Sequence, residues 1–277
     1  PTIPDPPFPT SASIRRRALA ALAPVDERAV VSGDAAAVLR GLPIPARQVE
    51  RITAIRPGAV NFDGPDLRLR GTHLPAHHID TVDGIRVTSL ERTALDVARG
   101  RSLPQALIVL DAAARELVAL ATGLRGEALR YAVLDVDTRR ESLGRLDEGL
   151  AEMTGWPGAV AVGTARPHER QSSESPAESI SRGWLIEAGL VDLEAGVPVS
   201  AQGRTFWADL LSRDRRVIGE VDGWAKYGDS PSDFRASLTA ERDRQRLLED
   251  EGWRFVRWTL EDGRDRVIAR MRRALRG

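Results

Sequence analysis

The chain has no cysteine and only one lysine, Lys226, among its 277 residues. Without cysteine it forms no disulfides and no thiolate metal sites, which fits a reducing, cytoplasmic compartment. Aromatic residues make up only 5% of the chain. No apolar run approaches the roughly 18–20 residues that a membrane span needs, so no membrane association is expected. The formal net charge is zero, from 40 basic and 40 acidic residues. That balance argues against a surface that clings to nucleic acid over its whole extent, but it leaves room for a local basic stripe. The start, Pro1 to Pro9, is proline-rich and polar. It has no basic segment leading into an apolar stretch, so it does not read as a secretory leader. Of the four histidines, His77 and His78 are adjacent rather than one helical turn apart, and they lie in a loop-like stretch. That spacing argues against a zinc site.

With 42% hydrophobic and 29% charged residues, the composition is that of an ordinary folded protein. The length suits one large or two medium domains. The organisation expected is an arm with a short basic helix over 1–28, a mainly helical α+β domain over 29–160, a linker over 161–174 and a last domain over 175–277. In the first part, Asp83-Gly84 between two apolar segments signals a hairpin. Thr88-Ser89-Leu90-Glu91 is a capping box that opens a helix to Ala98, and Leu103 to about Leu120 carries apolar residues at helical spacing. Further helices are expected over Glu127–Val133 and Leu143–Met153. In the last part the rhythm is a helix from Ser175 to Ala188, a short strand at Val197–Val199, and strands at Phe206–Leu211 and Arg216–Asp222. A long charged helix to Glu251, a strand at Trp253–Thr259 and a helix at Asp262–Leu275 follow. This order predicts an α/β sandwich with a mixed sheet.

The acidic hairpin carries the chemistry. Alternate strand residues share a face, so Glu220 and Asp222 point together, and the hairpin brings Asp209 alongside. Three crowded carboxylates repel one another unless a cation neutralises them or they take up protons. Hard oxygen ligands suit Mg²⁺ or Mn²⁺, which would polarise a phosphate and activate water. Lys226 follows directly, and a lysine there could orient the water or stabilise developing negative charge. The last helix carries Arg264, Arg266, Arg270, Arg272, Arg273 and Arg276, of which Arg270 and Arg273 are the candidate phosphate contacts.

Several segments resemble one family in order: Ser175-Pro176-Ala177-Glu178-Ser179, Ala208-Asp209-Leu210, Val217-Ile218-Gly219-Glu220-Val221-Asp222-Gly223 with Lys226-Tyr227, and Glu241-Arg242-Asp243 leading to Gly252-Trp253 and Val256-Arg257-Trp258. This pattern is similar to the very-short-patch-repair-like family of unknown function in the PD-(D/E)XK nuclease superfamily. The resemblance implies a restriction-endonuclease-like domain that hydrolyses DNA phosphodiesters with Mg²⁺ or Mn²⁺. It makes Asp209 and Glu220 the metal pair and places Glu178 where the family has a first-helix acid. Asp222 stands where the superfamily's signature lysine would be, with Lys226 as its replacement from four residues on. Glu178 also reads as the glutamate of a capping box opened by Ser175.

The first half resembles the C-terminal region of AbiEi-type antitoxins from abortive-infection toxin–antitoxin systems. The resemblance is carried by Val31-Ser32-Gly33-Asp34-Ala35-Ala36, Leu39-Arg40-Gly41-Leu42-Pro43 and Gly84-Ile85-Arg86-Val87-Thr88-Ser89 followed by Arg92-Thr93-Ala94-Leu95-Asp96-Val97-Ala98. It implies an antitoxin-like α+β domain with a possible protein partner. Thr88, Arg92 and Asp96 read as an internal polar network. Two functions follow as expectations: a Mg²⁺-dependent DNA endonuclease of phage-defence or repair type, or a catalytically weakened antitoxin-like regulator that binds nucleic acid or a protein.

Overall fold

The structure, a computed structural model, describes residues 10–45, 49–222 and 231–277. The chain divides into two compact units, Pro1–Gln171 and Ser172–Gly277. Both mix helices with a sheet, so the fold is α+β. No helix among the described residues is long and apolar enough to cross a membrane.

In the first unit, Thr10 caps helix α1 (Ser11–Leu22) by a capping box with Ser13, and Ile14 and Ala18 turn inward. The strands are β1 (Val30–Ser32), β2 (Ile52–Ile55), β3 (Phe62–Asp63), β4 (Leu67–Arg70), β5 (Ile79–Val82) and β6 (Ile85–Thr88). They form a sheet in the order β3-β4-β2-β1-β6-β5. Helix α2 (Gly33–Leu39) follows β1 and buries Ala35 to Leu39. The β5–β6 turn is Asp83-Gly84, at φ +48° and +78°, the left-handed pair that a two-residue hairpin demands. Helices α3 (Leu90–Ala98), α4 (Leu103–Thr122), α5 (Gly126–Ala132), α6 (Val136–Glu152) and α7 (Ala159–Ala165) complete the unit. Leu95, Leu110, Leu117, Leu146, Met153 and Val162 share one apolar core.

The segment 161–174, expected as a linker, is packed. Helix α7 occupies its start, and Glu169, Gln171, Ser172 and Ser173 are buried. Glu169 accepts from Arg166 Nη1 at 2.8 Å, and Asp111 on α4 accepts from the Arg170 backbone N–H at 2.8 Å. Burial, and then the nearby charge of Asp111, push the Glu169 carboxyl up to about 7. Gly158 reads as a boundary in sequence, but it is a packing residue. At φ +83° its missing Cβ would sit 2.1 Å from the Arg99 carbonyl oxygen.

The second unit begins with α8 (Pro176–Glu187), followed by β7 (Glu194–Ala201), β8 (Arg204–Ser212), β9 (Val217–Val221), α9 (Pro231–Asp250), β10 (Arg254–Trp258) and α10 (Arg264–Arg276). The sheet order is β10-β9-β8-β7. Strands β7, β8 and β9 are antiparallel neighbours, and β10 joins β9 in parallel after the α9 crossover. Strand β9 is buried along its whole length, as a central strand covered on both faces must be. Leu210, Val217, Val221, Val256 and Trp258 meet Leu185 of α8 and Val267, Ile268 and Met271 of α10. Gly219 lets these layers close, because a Cβ there would lie 2.8 Å from both Met271 and Trp258. The buried indole N–H of Trp258 donates to Ser181 Oγ at 3.0 Å. Residues 218 and 220 therefore point to the opposite face, toward α9. Strand β7 is longer than the Val197–Val199 expected, because its pairing with β8 runs from Glu194 to Ala201.

Candidate functional site

The β8–β9 register builds the site. Leu210 faces Gly219 and Leu211 faces Ile218, so Asp209 and Glu220 are the next residues outward on adjacent strands. Asp209 Oδ2 accepts the Val221 backbone N–H at 2.7 Å, which holds the carboxylate at the end of the paired region. Glu220 is 3% exposed. Burial and then the charge of Asp209 push its carboxyl up to about 7. Glu178 arrives from the first turn of α8. Its Oε1 accepts from Ser175 Oγ and its Oε2 from the Glu174 backbone N–H, both at 2.8 Å, while Ser175 Oγ accepts the Glu178 N–H at 3.2 Å. It braces the Ser175 cap of α8 and is also a neighbour of the acidic pair. Burial and then Asp209 push it up to about 7 as well. Glu178, Asp209 and Glu220 thus form one electrostatic cluster.

The cation in this cluster is one that sequence reasoning missed. Arg244 of α9 donates to Glu220 Oε1 at 2.6 Å through Nη2, and its Nη1 lies 3.4 Å from Oε2. The same guanidinium donates to the Trp207 carbonyl at 3.1 Å and to Glu241 Oε1 at 2.9 Å. Burial works against its charge, but Glu220 and then Glu241 hold it firmly protonated. Glu241 in turn pairs with Arg257 of β10, whose Nη1 lies 3.4 Å from Asp222 Oδ1. Arg244 and Arg257 both approach the ring of Phe255, at 5.9 and 5.5 Å from its centroid. The chain of charges runs Glu220, Arg244, Glu241, Arg257, Asp222. The i,i+3 pair Glu241 and Arg244 was the available sequence signal. Asp243 is exposed and Gln245 bonds Glu249 at 2.7 Å, so neither is drawn into these charges.

The acids as placed are each engaged by groups of the protein. Both Glu220 oxygens face Arg244, both Glu178 oxygens hold the α8 cap, and Asp222 turns to Arg257. Among the described residues, these carboxylates do not form a set of three whose ligand atoms all lie within 4.8 Å of one another. A positive guanidinium stands against Glu220 where Mg²⁺ or Mn²⁺ was expected to bind. Lys226 lies outside the described residues.

The basic helix is partly consumed by internal contacts. Arg270 donates to both oxygens of Asp262, at 3.0 and 2.8 Å, and to the Arg257 carbonyl at 3.0 Å, so it staples α10 to β10. Arg264 pairs with Glu187, and Arg272 donates to the Ala188 carbonyl. Arg266, Arg273 and Arg276 are exposed. In the first unit, Arg92 and Asp96 form a buried pair at 2.9 Å, with the guanidinium 4.7 Å from the Trp156 ring centroid. Thr88 bonds Thr93 at 2.6 Å instead of joining that pair.

Residues 44–146 match the family described as AbiEi antitoxin C-terminal domain. No nuclease family matches the chain. Two uncharacterized proteins from two strains of Mycobacterium tuberculosis are 27% identical over 227 residues, covering 78% of this chain and 74% of theirs. No solved structure matches.

Proposed function

We propose that this protein is an antitoxin-like regulator that acts by holding nucleic acid or a protein partner and not by cutting it. The observation that carries this reading is Arg244. It pairs with the buried Glu220 from within the chain, so this acid has a counter-charge without a bound cation. The antitoxin-type match over residues 44–146 supports the same reading. The exposed Arg266, Arg273 and Arg276 on α10 supply a basic stripe for phosphates. The test uses the whole chain and a duplex from immediately upstream of its own reading frame. Anisotropy binding and cleavage are measured on the same duplex with Mg²⁺ or Mn²⁺, and complex formation with the product of the adjacent gene is followed by size exclusion. A regulator binds one of the two and leaves the duplex intact. Divalent-dependent cleavage that Asp209→Asn abolishes refutes the reading, as does the absence of both kinds of complex.

A second reading, phosphodiester hydrolysis with Mg²⁺ or Mn²⁺, is favoured by one observation. Glu178, Asp209 and Glu220 come from three different elements, and Asp209 raises the ionisation of both glutamates, as paired acids in a working site do. The order of helix, three antiparallel strands, crossover helix and parallel strand supports a restriction-endonuclease-like reading of the second unit. The cleavage arm of the same experiment decides it.

A further inference from the structure

Far from the acidic hairpin in sequence, the first unit gathers three donor atoms of another kind. His77 and His78 end a short 3₁₀ turn that leads into β5, and Glu152 ends α6. His77 Nε2 lies 3.0 Å from Glu152 Oε1, and His78 Nε2 lies 2.8 Å from Glu152 Oε2. All three ligand atoms fall within 4.8 Å of one another. We propose that His77, His78 and Glu152 form a binding site for a divalent transition cation of the zinc class, with two imidazole ligands, one carboxylate and an open position.

The donor set suits that class. Imidazole nitrogen and carboxylate oxygen bind Zn²⁺ at about 2.0–2.2 Å, which sets tetrahedral donors about 3.3 Å apart. The two histidine–Glu152 spacings, 3.0 and 2.8 Å, need to open by only a few tenths of an ångström. The ligands also differ usefully in mobility. The His78 side chain is 3% exposed and that of His77 is 61% exposed, so one ring is fixed and the other can adjust.

The surroundings fix the buried ring. His78 Nδ1 lies 3.5 Å from Ser89 Oγ, and the His78 carbonyl accepts the Ser89 backbone N–H at 2.8 Å. A cation would displace the proton that Nε2 shares with Glu152, and a proton on Nδ1 facing the serine would then leave Nε2 as the lone-pair donor, the arrangement that metal-bound histidines commonly use. Gly149 lets α6 approach, since a Cβ there would meet Leu95 at 2.9 Å and the His78 ring at 3.7 Å. That approach brings Glu152, one turn on, to the two rings.

The open position faces a cavity of about 380 Å³ lined by both histidines, Glu91, Arg145, Glu148 and Glu152. Arg145 is paired with Glu91 at 3.0 Å. Glu148 stands one turn before Glu152 on α6 and adds negative charge on the side where a cation or its bound water would sit. In sequence the site is hidden because Glu152 is 74 residues from His78.

The test is a Co²⁺ titration of the tag-free full chain by visible absorption, with Zn²⁺ competition against a chromophoric chelator. The expected result is one saturable site with ligand-field bands of a low-symmetry nitrogen and oxygen environment, displaced by Zn²⁺. His77→Ala and Glu152→Gln each weaken it at least tenfold, while His73→Ala leaves it unchanged. His77 is largely exposed, so its variant keeps the fold, and circular dichroism checks this. The proposal is overturned by the absence of saturable binding below millimolar Co²⁺ or by binding that persists in His77→Ala and Glu152→Gln. Binding that disappears in Asp209→Asn would also overturn it, because the ion would then belong to the acidic hairpin.

Discussion

Replacing Asp209 with asparagine should stabilise the second unit at alkaline pH, although the residue sits at the centre of the candidate site. Asp209 is the second cause, after burial, of the raised ionisation of both Glu178 and Glu220, which stand at about 7 against 4.5 for a free glutamate. Between those values the folded chain holds protons that the unfolded chain has released, so stability falls as pH rises from about 4.5 to 7. Each pH unit costs about 1.4 kcal/mol per group, or about 3 kcal/mol for a fully expressed shift. Asparagine keeps an oxygen for the Val221 N–H but removes the negative charge. Both glutamates then move down toward their ordinary values, and the alkaline loss shrinks. A cross-strand charge in a surrounding of intermediate dielectric accounts for about 1–3 kcal/mol. At pH 8 the variant should unfold at higher urea than wild type, with a thermal midpoint raised by about 4–8 °C per kcal/mol for a unit of this size. Near pH 4 both glutamates are mostly protonated in both states, so the gain seen at pH 8 should largely vanish. Urea unfolding followed by tryptophan fluorescence at pH 4, 6 and 8 reads the difference. A variant less stable than wild type at pH 8, or an unchanged pH dependence, would refute the idea that the three acids act on one another.

Three further outcomes follow from the packing. Arg244→Met removes the internal cation and should cost about 3–5 kcal/mol at pH 8. The cost should be smaller at pH 5, where Glu220 keeps its proton, and equal costs at both pH values in urea titrations would deny the pairing. Gly219→Ala presses a methyl group on Met271 and Trp258 and should cost about 1–3 kcal/mol. Adding Met271→Ala should make the combined loss smaller than the sum of the two single losses in a double-mutant cycle. Trp258→Phe leaves Ser181 without its indole donor and opens a small void, for a loss of about 1–3 kcal/mol measured by the same unfolding.

The strands of the hairpin were legible because their signals are local. Alternation put Glu220 on one face and the turn expected at 213–215 fixed which strand it meets, so Asp209 could be placed beside it from sequence alone. Glu178 was legible twice, as a capping-box residue and as a first-helix acid; its side chain bonds the Ser175 hydroxyl, and Asp209 is the second cause of its raised ionisation. Arg244 was not legible, because α9 carries charges on every side and only tertiary packing selects the residue that turns inward. Asp222 followed the alternation rule, yet its partner is Arg257 on a strand that returns only after the α9 crossover. The packing of residues 161–174, where the two units divide, has the same cause. Gly158 and Gly163 look like punctuation, and nothing local shows that the Arg99 carbonyl lies where a Cβ at 158 would go.

Arg244 also ties the acidic cluster into the packing of the second unit. A site whose carboxylates are balanced only by a bound ion is destabilised when the ion is absent, and its acids are then free to be replaced. Here the guanidinium balances Glu220 and continues through Glu241 to Arg257 and Asp222, so β9, α9 and β10 depend on the acids for their own packing. Once that dependence exists, losing Glu220 would leave Arg244 buried with one fewer counter-charge, a change that costs several kcal/mol whether or not the protein cuts anything. The acids of this unit therefore carry a packing role that can be measured apart from any chemistry they perform. The pH dependence of Arg244→Met measures the strength of that coupling independently of any substrate.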